Sequence, residues 1–347
     1  MKASYKKHIL NFKLPSGTSR GVLKTKETYF IFIEVENQKG IGECGLFRGL
    51  SIDDRPDYEE KLQWICDHIN LGVQKLYDEL IEFPSIQIGL ETAFKSLSLK
   101  DLFEIYPSEF SNGNEHIPIN GLVWMGSEAF MKQQISDKLN QGFRCIKLKI
   151  GAIDFNTELN LLKSIRKEYA ASDIELRVDA NGAFNSSEAL EKLKRLSEFN
   201  LHSIEQPIKQ GQWQEMARLC EDTPLPIALD EELIGVFSEN EKLDLLNTIN
   251  PQYIILKPTL IGGFRGSNQW ISLAENKGIG WWITSALESN IGLNAIAQYT
   301  FTKNSKLPQG LGTGGLFTNN IPSPLEVCNG SLNYNTNLKW KLNLLNH

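Results

Sequence analysis

The sequence predicts an α/β protein, a barrel of alternating strands and helices preceded by a smaller α+β unit. Between Cys145 and Ser285, short apolar runs end in single charged or polar residues: Lys149 in CIKLKIG, Asp179 in ELRVDANGAF, Glu205 in HSIEQPI, Asp230 in PIALDEE, Lys257 in YIILKPT and Ser285 in WWITSALES. They stand 25 to 30 residues apart. A (β/α)8 barrel spends about 250 residues on eight units, so each interval is one unit and each charged group marks the carboxyl end of a strand. The second observation is a change of rhythm near residue 115, before which strands and then helices follow one another without alternating.

In order, residues 29–35 (YFIFIEV) read as a strand of aromatic and β-branched residues, 38–40 as its turn and 41–44 as a returning strand. The glycine-bracketed run 45–51 is expected to be a mobile loop. After Pro56, Leu62, Ile65, Ile69, Val73 and Leu76 fall on one side of a helix; a second follows Pro84 through Leu90, Ala93, Phe94 and Leu97. The polar stretch 111–114 closes this unit. The expected division is therefore 1–115 for the α+β part, completed by a returning segment 316–347, and 116–315 for the barrel. Residues 117–124 (IPINGLVW) read as the first barrel strand. Helices are expected to open near Ser127, Asp154, Ser186, Gly211, Phe237, Gly263 and Ser289, with Ser127 and Ser186 as caps followed by acid in the first turn. The barrel strands are nearly all apolar, as strands covered on both faces must be. Past Gly310 the pattern dissolves into Gly, Asn and Pro, and residues 338–347 are expected to pack back on the first unit.

Bulk properties narrow the function. The 347 residues are 41% hydrophobic, with net charge −6 and no basic block, which argues against nucleic acid or an anionic membrane as partner. No apolar run reaches the length of a signal-peptide core or a membrane span, so a cytoplasmic protein is expected. The cysteines (Cys44, Cys66, Cys145, Cys220, Cys328) are scattered without a Cys-x-x-Cys, as expected of reduced thiols and not of a zinc site.

The strand ends carry the chemistry. In a parallel barrel all carboxyl ends open on one mouth. Lys147 and Lys149 point the same way, as do Arg177 and Asp179, because strand side chains alternate; Arg177 would line the lumen one layer below Asp179. Three carboxylates, Asp179, Glu205 and Asp230, would converge from adjacent strands. Two like charges 4 Å apart repel by about 4 kcal/mol at an effective dielectric of 20, so three acids require a cation among them. An all-oxygen set without His or Cys selects a hard ion, Mg²⁺ before Mn²⁺. Lys149 and Lys257 flank the acids by one strand on either side. An amine beside other cations is placed to act as a base, and a divalent ion stabilises the dianion formed when a proton alpha to a carboxylate is removed.

These motifs, Lys-x-Lys, Asp-Ala-Asn, Glu-Gln-Pro, Asp-Glu and Leu-Lys-Pro, together with Gly-Glu-Cys at residues 42–44, resemble those of the enolase superfamily, muconate-lactonizing subgroup, over nearly the whole chain. The resemblance implies an enolase-type modified TIM barrel, (β/α)7β, with an α+β capping domain. It implies a metal-dependent lyase acting on a small carboxylate, Lys149 as the base that also protonates the departing hydroxide, Lys257 stabilising the enolate and Lys147 lowering the pKa of Lys149. Residues 285–289 and 310–314 look like the last two strands of those members that dehydrate 2-succinyl-6-hydroxy-2,4-cyclohexadiene-1-carboxylate in menaquinone biosynthesis. Arg177, Ser285 and Gly312 match substrate-contacting positions there; Arg48 is added from the capping-loop region without a motif. The alternative is an N-acylamino acid racemase or dipeptide epimerase on the same site. Dipeptide epimerases carry an Asp-x-Asp at the eighth strand, whereas residues 309–320 contain no acid.

Other patterns read as structure. The Gly-x-Gly-x-x-Gly at 310–315 is followed by no helix and no acid about 20 residues on. None of the five histidines stands at a strand end, Trp281 and Trp282 open a strand as packing residues, and Glu231 and Glu232 follow a ligand directly.

Overall fold

The computed structural model describes residues 1–18 and 21–342. β1 (Lys2–Thr18), β2 (Gly21–Val35) and β3 (Gln38–Cys44) form a three-stranded antiparallel sheet. The sequence reading assigned no element to β1. Its charged residues conceal an alternation in which Leu10 and Phe12 are buried on either side of exposed Asn11. The expected single helix after Pro56 is interrupted: α1 (Tyr58–Asp67) leads through a 3-10 turn at Ile69–Leu71 to α2 (Val73–Asp78), because Gly72 adopts φ +81°. α3 (Pro84–Leu97) opens on proline at its first position, where a missing N–H costs nothing. Tyr29, Ile31 and Ile33 of the sheet pack with Leu62, Ile65, Ile86 and Leu90 of the helices. β3 lies directly on α3, since a Cβ on Gly42 would stand 1.8 Å from the Gly89 carbonyl oxygen.

The expected first barrel strand divides in two. β4 (Ile117–Pro118) joins a separate small sheet, and β5 (Gly121–Val123) begins the barrel. Then follow α4 (Glu128–Asn140), β6 (Cys145–Lys149), α5 (Phe155–Glu168), β7 (Glu175–Asp179), α6 (Ser186–Ser197) and β8 (Ser203–Glu205). The alternation continues through α7 (Trp213–Asp222), β9 (Ile227–Leu229), α8 (Glu239–Ile249), β10 (Tyr253–Leu256), α9 (Gly263–Asn276), β11 (Gly280–Ile283) and α10 (Asn290–Phe301). β5 to β11 pair in parallel in sequence order. Parallel bridges Thr284 to Gly310 and Ile119 to Gln309 place residues 309–310 between β11 and the first strand, as an eighth stave. The chain thus has the enolase-type (β/α)7β barrel with its α+β companion. β12 (Leu325–Cys328) and β13 (Ser331–Tyr334) pair back onto β4.

Local chemistry sets the helix starts. Ser127, Asp154 and Ser289 accept hydrogen bonds from Phe130, Thr157 and Ile291 N–H groups. α6 is capped by Asn185 and not by Ser186, and α8 by a capping box of Ser238 and Glu241. Trp340 stacks on Phe103 with ring centroids 4.0 Å apart, so part of the returning tail packs as expected; residues 343–347 of that expectation lie outside the described residues. All five cysteines are free, Cys328 alone being exposed. Among the described residues no helix is long and apolar enough to cross a membrane.

Two carboxylates from the first hundred residues seat on barrel helices. Glu43 of β3 accepts from Ser289 N (2.8 Å), Gly292 N (2.8 Å) and the Ser289 hydroxyl at the start of α10, and from Thr28 Oγ1 (2.8 Å). Glu91 of α3 accepts from Phe264 N (2.7 Å) and Arg265 N (3.2 Å) at the start of α9. Each anion faces the positive end of a helix and satisfies N–H groups the helix cannot.

Glu43→Ala leaves three buried donors without a partner, Thr28 Oγ1 keeping the Cys44 carbonyl (3.2 Å), and is expected to cost on the order of 3 kcal/mol, measured by urea unfolding; a loss below about 1 kcal/mol refutes the clamp. Burial pushes the Glu91 carboxyl from 4.5 up to about 7, with the Phe264 and Arg265 N–H groups opposing. The folded chain therefore holds this proton more tightly than the unfolded chain does. The associated stability is complete below pH about 4.5 and is lost as pH rises through about 7. Glu91→Gln is expected to flatten that decline in a pH series of melting curves.

Candidate active site

β6, β7 and β8 are in register so that Lys149 lies beside Asp179, and Asp179 beside Glu205. Asp230 follows the last residue of β9 and Lys257 the last of β10. All three acids are buried to 2% exposure or less; Lys147, Lys149 and Lys257 keep 6–8%. The lysines line a cavity of about 290 Å³, whose wall includes Phe47, Leu50, Ser285 and Gly312.

Lys147 Nζ bridges Asp179 Oδ2 (3.0 Å) and Glu205 Oε2 (2.7 Å). Lys149 Nζ donates to Asp179 Oδ2 (2.5 Å) and Asn181 Oδ1 (2.8 Å), and Lys257 Nζ to Asp230 Oδ2. Burial opposes charge on every member, and the balance of neighbours decides each outcome. Glu205 and Asp179 outweigh burial at Lys147 and hold its ammonium above the ordinary value; Asp230 and Glu205 do the same for Lys257. Burial together with Lys147 and Lys257 holds Lys149 below its ordinary value, against the pull of Asp179 and Glu205. Asp179 and Asp230 are held below the usual carboxylate range by their lysines, although burial works the other way. Glu205 is pushed well up by burial and then by Asp179.

Among the described residues no three His, Cys, Asp or Glu side chains stand as a finished metal cage; lysine ammoniums supply the positive charge between these acids. The donor set nonetheless fits a hard cation: three carboxylates from consecutive strands, with Glu205 Oε1 buried and lacking any hydrogen-bond partner. Asp179, Glu205 and Asp230 are the residues that could hold one.

Supports unassigned at the sequence level fix this cluster. Asn181 turns at φ +46°, receives Lys149, and donates to Glu231 Oε1 (2.9 Å). Gln206 turns at φ +38°. Its Oε1 accepts from Asp230 N (3.1 Å) and its Nε2 donates to Glu232 Oε2 (2.9 Å), tying the β8 end to the β9 end. Both residues belong to motifs already quoted, Asp-Ala-Asn and Glu-Gln-Pro; the missed signal is an amide two residues after one ligand and one residue after the other. Behind Ser285, Glu288 accepts from Ser285 Oγ (2.5 Å) and from the Thr259 hydroxyl, while Thr313 Oγ1 donates to Ser285 Oγ (2.8 Å).

Two expected residues are not on the cavity wall. Arg177 lies a layer below, 1% exposed, with Nε on Glu175 Oε1 (2.7 Å), Nη1 on the Pro308 carbonyl (3.0 Å) and its guanidinium 4.2 Å from the Trp282 ring centre. It seals the barrel floor. Arg48 is half exposed and engaged by Asp54 (2.6 Å) and Glu27 (2.7 Å). The loop reaches the cavity through Phe47 and Leu50 instead.

The sequence family described as "Enolase C-terminal domain-like" matches residues 131–337. The chain is 47% identical to the o-succinylbenzoate synthase of Desulfotalea psychrophila, over 96% of this chain and 98% of that protein. The crystal structure of MenC from the same organism superposes with TM-score 0.86 at 42% identity, covering 96% of this chain and 99% of that one. The L-Ala-D/L-Glu epimerase of Bacillus subtilis is 27% identical over 52% of this chain and 49% of its own.

Gln206→Ala is expected to weaken binding of a divalent cation roughly 10- to 100-fold in calorimetric titration, as loss of a ligand-orienting group does. Unchanged affinity refutes its positioning role.

Proposed function

The chain belongs to the enolase superfamily, and from that premise we propose that it works as an o-succinylbenzoate synthase. It is a carbon–oxygen lyase that dehydrates 2-succinyl-6-hydroxy-2,4-cyclohexadiene-1-carboxylate to 2-succinylbenzoate, a step of menaquinone biosynthesis. The observation that carries this reading is the row of three buried acids with an amine on each side, in a chain 47% identical to a synthase along almost its whole length. Its relatives are typically dependent on a divalent metal; we assign Mg²⁺, with Mn²⁺ as substitute, to Asp179, Glu205 and Asp230. When bound, that ion would supply positive charge for the dianion formed from the substrate carboxylate. We place the protein in the cytoplasm, with residues 1–115 and the returning tail as the cap over a barrel of 116–315.

The chain's own groups then have distinct tasks. Lys149 removes the ring proton alpha to the carboxylate, and the electron pair of that C–H bond remains as the enolate. Lys257, four strands away on the same cavity, faces the intermediate with a fixed ammonium and lowers its energy. The enolate then expels hydroxide as the C–O bond breaks. The proton held on Lys149 goes to that leaving group, so water departs, the ring becomes aromatic and Lys149 is again neutral. Lys147 keeps Asp179 and Glu205 fixed while this happens. Phe47 and Leu50 of the loop cover the cavity with apolar surface, which keeps water from quenching the intermediate.

Purified protein with Mg²⁺ is expected to convert the cyclohexadiene acid with a rise in aromatic ultraviolet absorbance, and a chelator in excess is expected to stop it. No turnover, with racemisation of N-succinyl amino acids in its place, overturns this assignment for the isomerase one. Lys149→Ala and Lys257→Ala should each lower kcat by roughly 10²–10⁴-fold while cooperative unfolding persists; a Lys257→Ala protein of full activity removes that residue from the mechanism.

A further inference from the structure

The cavity does not end in the lumen. Strand pairing between the first and eighth staves is limited to one isolated bridge, Ile119 to Gln309, while Gly310 bridges the other way to Thr284; beyond it the wall passes to α4, whose Lys138 lines the same cavity as Lys147, Lys149 and Lys257. Small residues form this seam. A Cβ on Gly310 would stand 2.4 Å from Thr284 Oγ1, one on Gly312 would lie 3.7 Å from the Asn120 carbonyl, and one on Gly121 would meet Lys138 Cδ at 3.2 Å.

Three polar groups of the seam have no hydrogen-bond or ion-pair partner among the described residues. Thr284 Oγ1 is buried without a hydrogen bond. The Asn120 side chain, on a residue 6% exposed, has no partner among the described residues, and Asn120 N is spent on the Gln309 carbonyl (2.9 Å). Lys138 forms no hydrogen bond or ion pair with the described residues; its ammonium rests 5.0 Å from the centre of the Phe143 ring. Its neighbour Asp137 is exposed and accepts from Gln133 Nε2 (2.8 Å). Ser285 cannot serve a second anion with its hydroxyl. That proton is given to Glu288, and its oxygen accepts from Thr313 Oγ1 and from Leu287 N (3.0 Å).

We propose that Lys138, with Thr284 and Asn120 along the seam, receives the second carboxylate of a dicarboxylic substrate, while the first goes to the cation that Asp179, Glu205 and Asp230 would hold. The proposal rests on the enolate chemistry assigned above and names the group that selects a succinyl-bearing acid over a monoacid. A half-buried cation with no ion-pair partner among the described residues, at the far end of a cavity whose near end takes a carboxylate in the reading above, has the charge and the position for that role.

The test compares the Mg²⁺-loaded protein with Lys138→Met and Lys138→Arg. Binding of 2-succinylbenzoate and of 2-butyrylbenzoate, which has a methyl in place of the distal carboxylate, is measured by calorimetry alongside KM and kcat. Lys138→Met is expected to weaken diacid binding and raise KM roughly tenfold or more, the worth of one charge-assisted hydrogen bond. The same variant should leave the butyryl analogue's affinity as it was and change kcat far less than KM, and Lys138→Arg should recover most of the diacid affinity. Equal loss for diacid and monoacid, or a diacid affinity within twofold of the parent, overturns the proposal. A parent protein that binds the diacid through Lys138 yet does not dehydrate sinks the reaction assignment and leaves the seam. One that dehydrates with an unaltered KM in Lys138→Met does the reverse.

Discussion

Six ionisable side chains share a nearly dry space at the barrel mouth. Each unpaired charge there would cost several kcal/mol of lost hydration, so Asp179, Glu205 and Asp230 persist only because Lys147, Lys149 and Lys257 stand among them. The balance is uneven by design: Lys147 and Lys257 are held charged, whereas burial and its cationic neighbours disfavour charge on Lys149. A fixed ammonium on one side and an easily discharged amine on the other is the asymmetry a proton-abstracting lyase needs.

The same charges constrain everything around them. Gln206 and Asn181, both in left-handed turns, spend their amides on holding the strand ends together. Glu43 and Glu91 carry the first unit onto the N-termini of α10 and α9, the helices that follow Ser285 and Lys257. The loop bearing Phe47 and Leu50 begins directly after Glu43 and Cys44, so the clamp that joins the two parts also sets where the apolar cover meets the site. Leu287, at φ +66° on the cavity wall, is held by the Ser285 hydroxyl in a backbone state that leucine rarely takes.

Much of this was legible from residues alone. The 25- to 30-residue spacing placed each acid and each lysine at a strand end, and the structure has them there. β1 was missed because polar residues on an edge strand of a half-solvated sheet mask its period of two. The helix after Pro56 was read as continuous because its apolar spacing survives the break that Gly72 makes. Arg48 was misplaced because a loop arginine shows nothing in sequence of the acids that will engage it, here Glu27 from another strand.

The sequence by itself determined the barrel, its polar rim and the kind of chemistry that rim performs, because period, strand length and residue type are local quantities. Only the tertiary structure decided that Arg177 seals the floor. Strand alternation put its side chain a layer below Asp179, but the partners that occupy its guanidinium there, Glu175 and the Pro308 carbonyl, come together only in the closed barrel. Only it decided, likewise, that the Ser285 hydroxyl is committed to Glu288 and that Lys138 reaches the cavity through a seam of glycines. Those facts arise between segments far apart in the chain, where spacing carries no information.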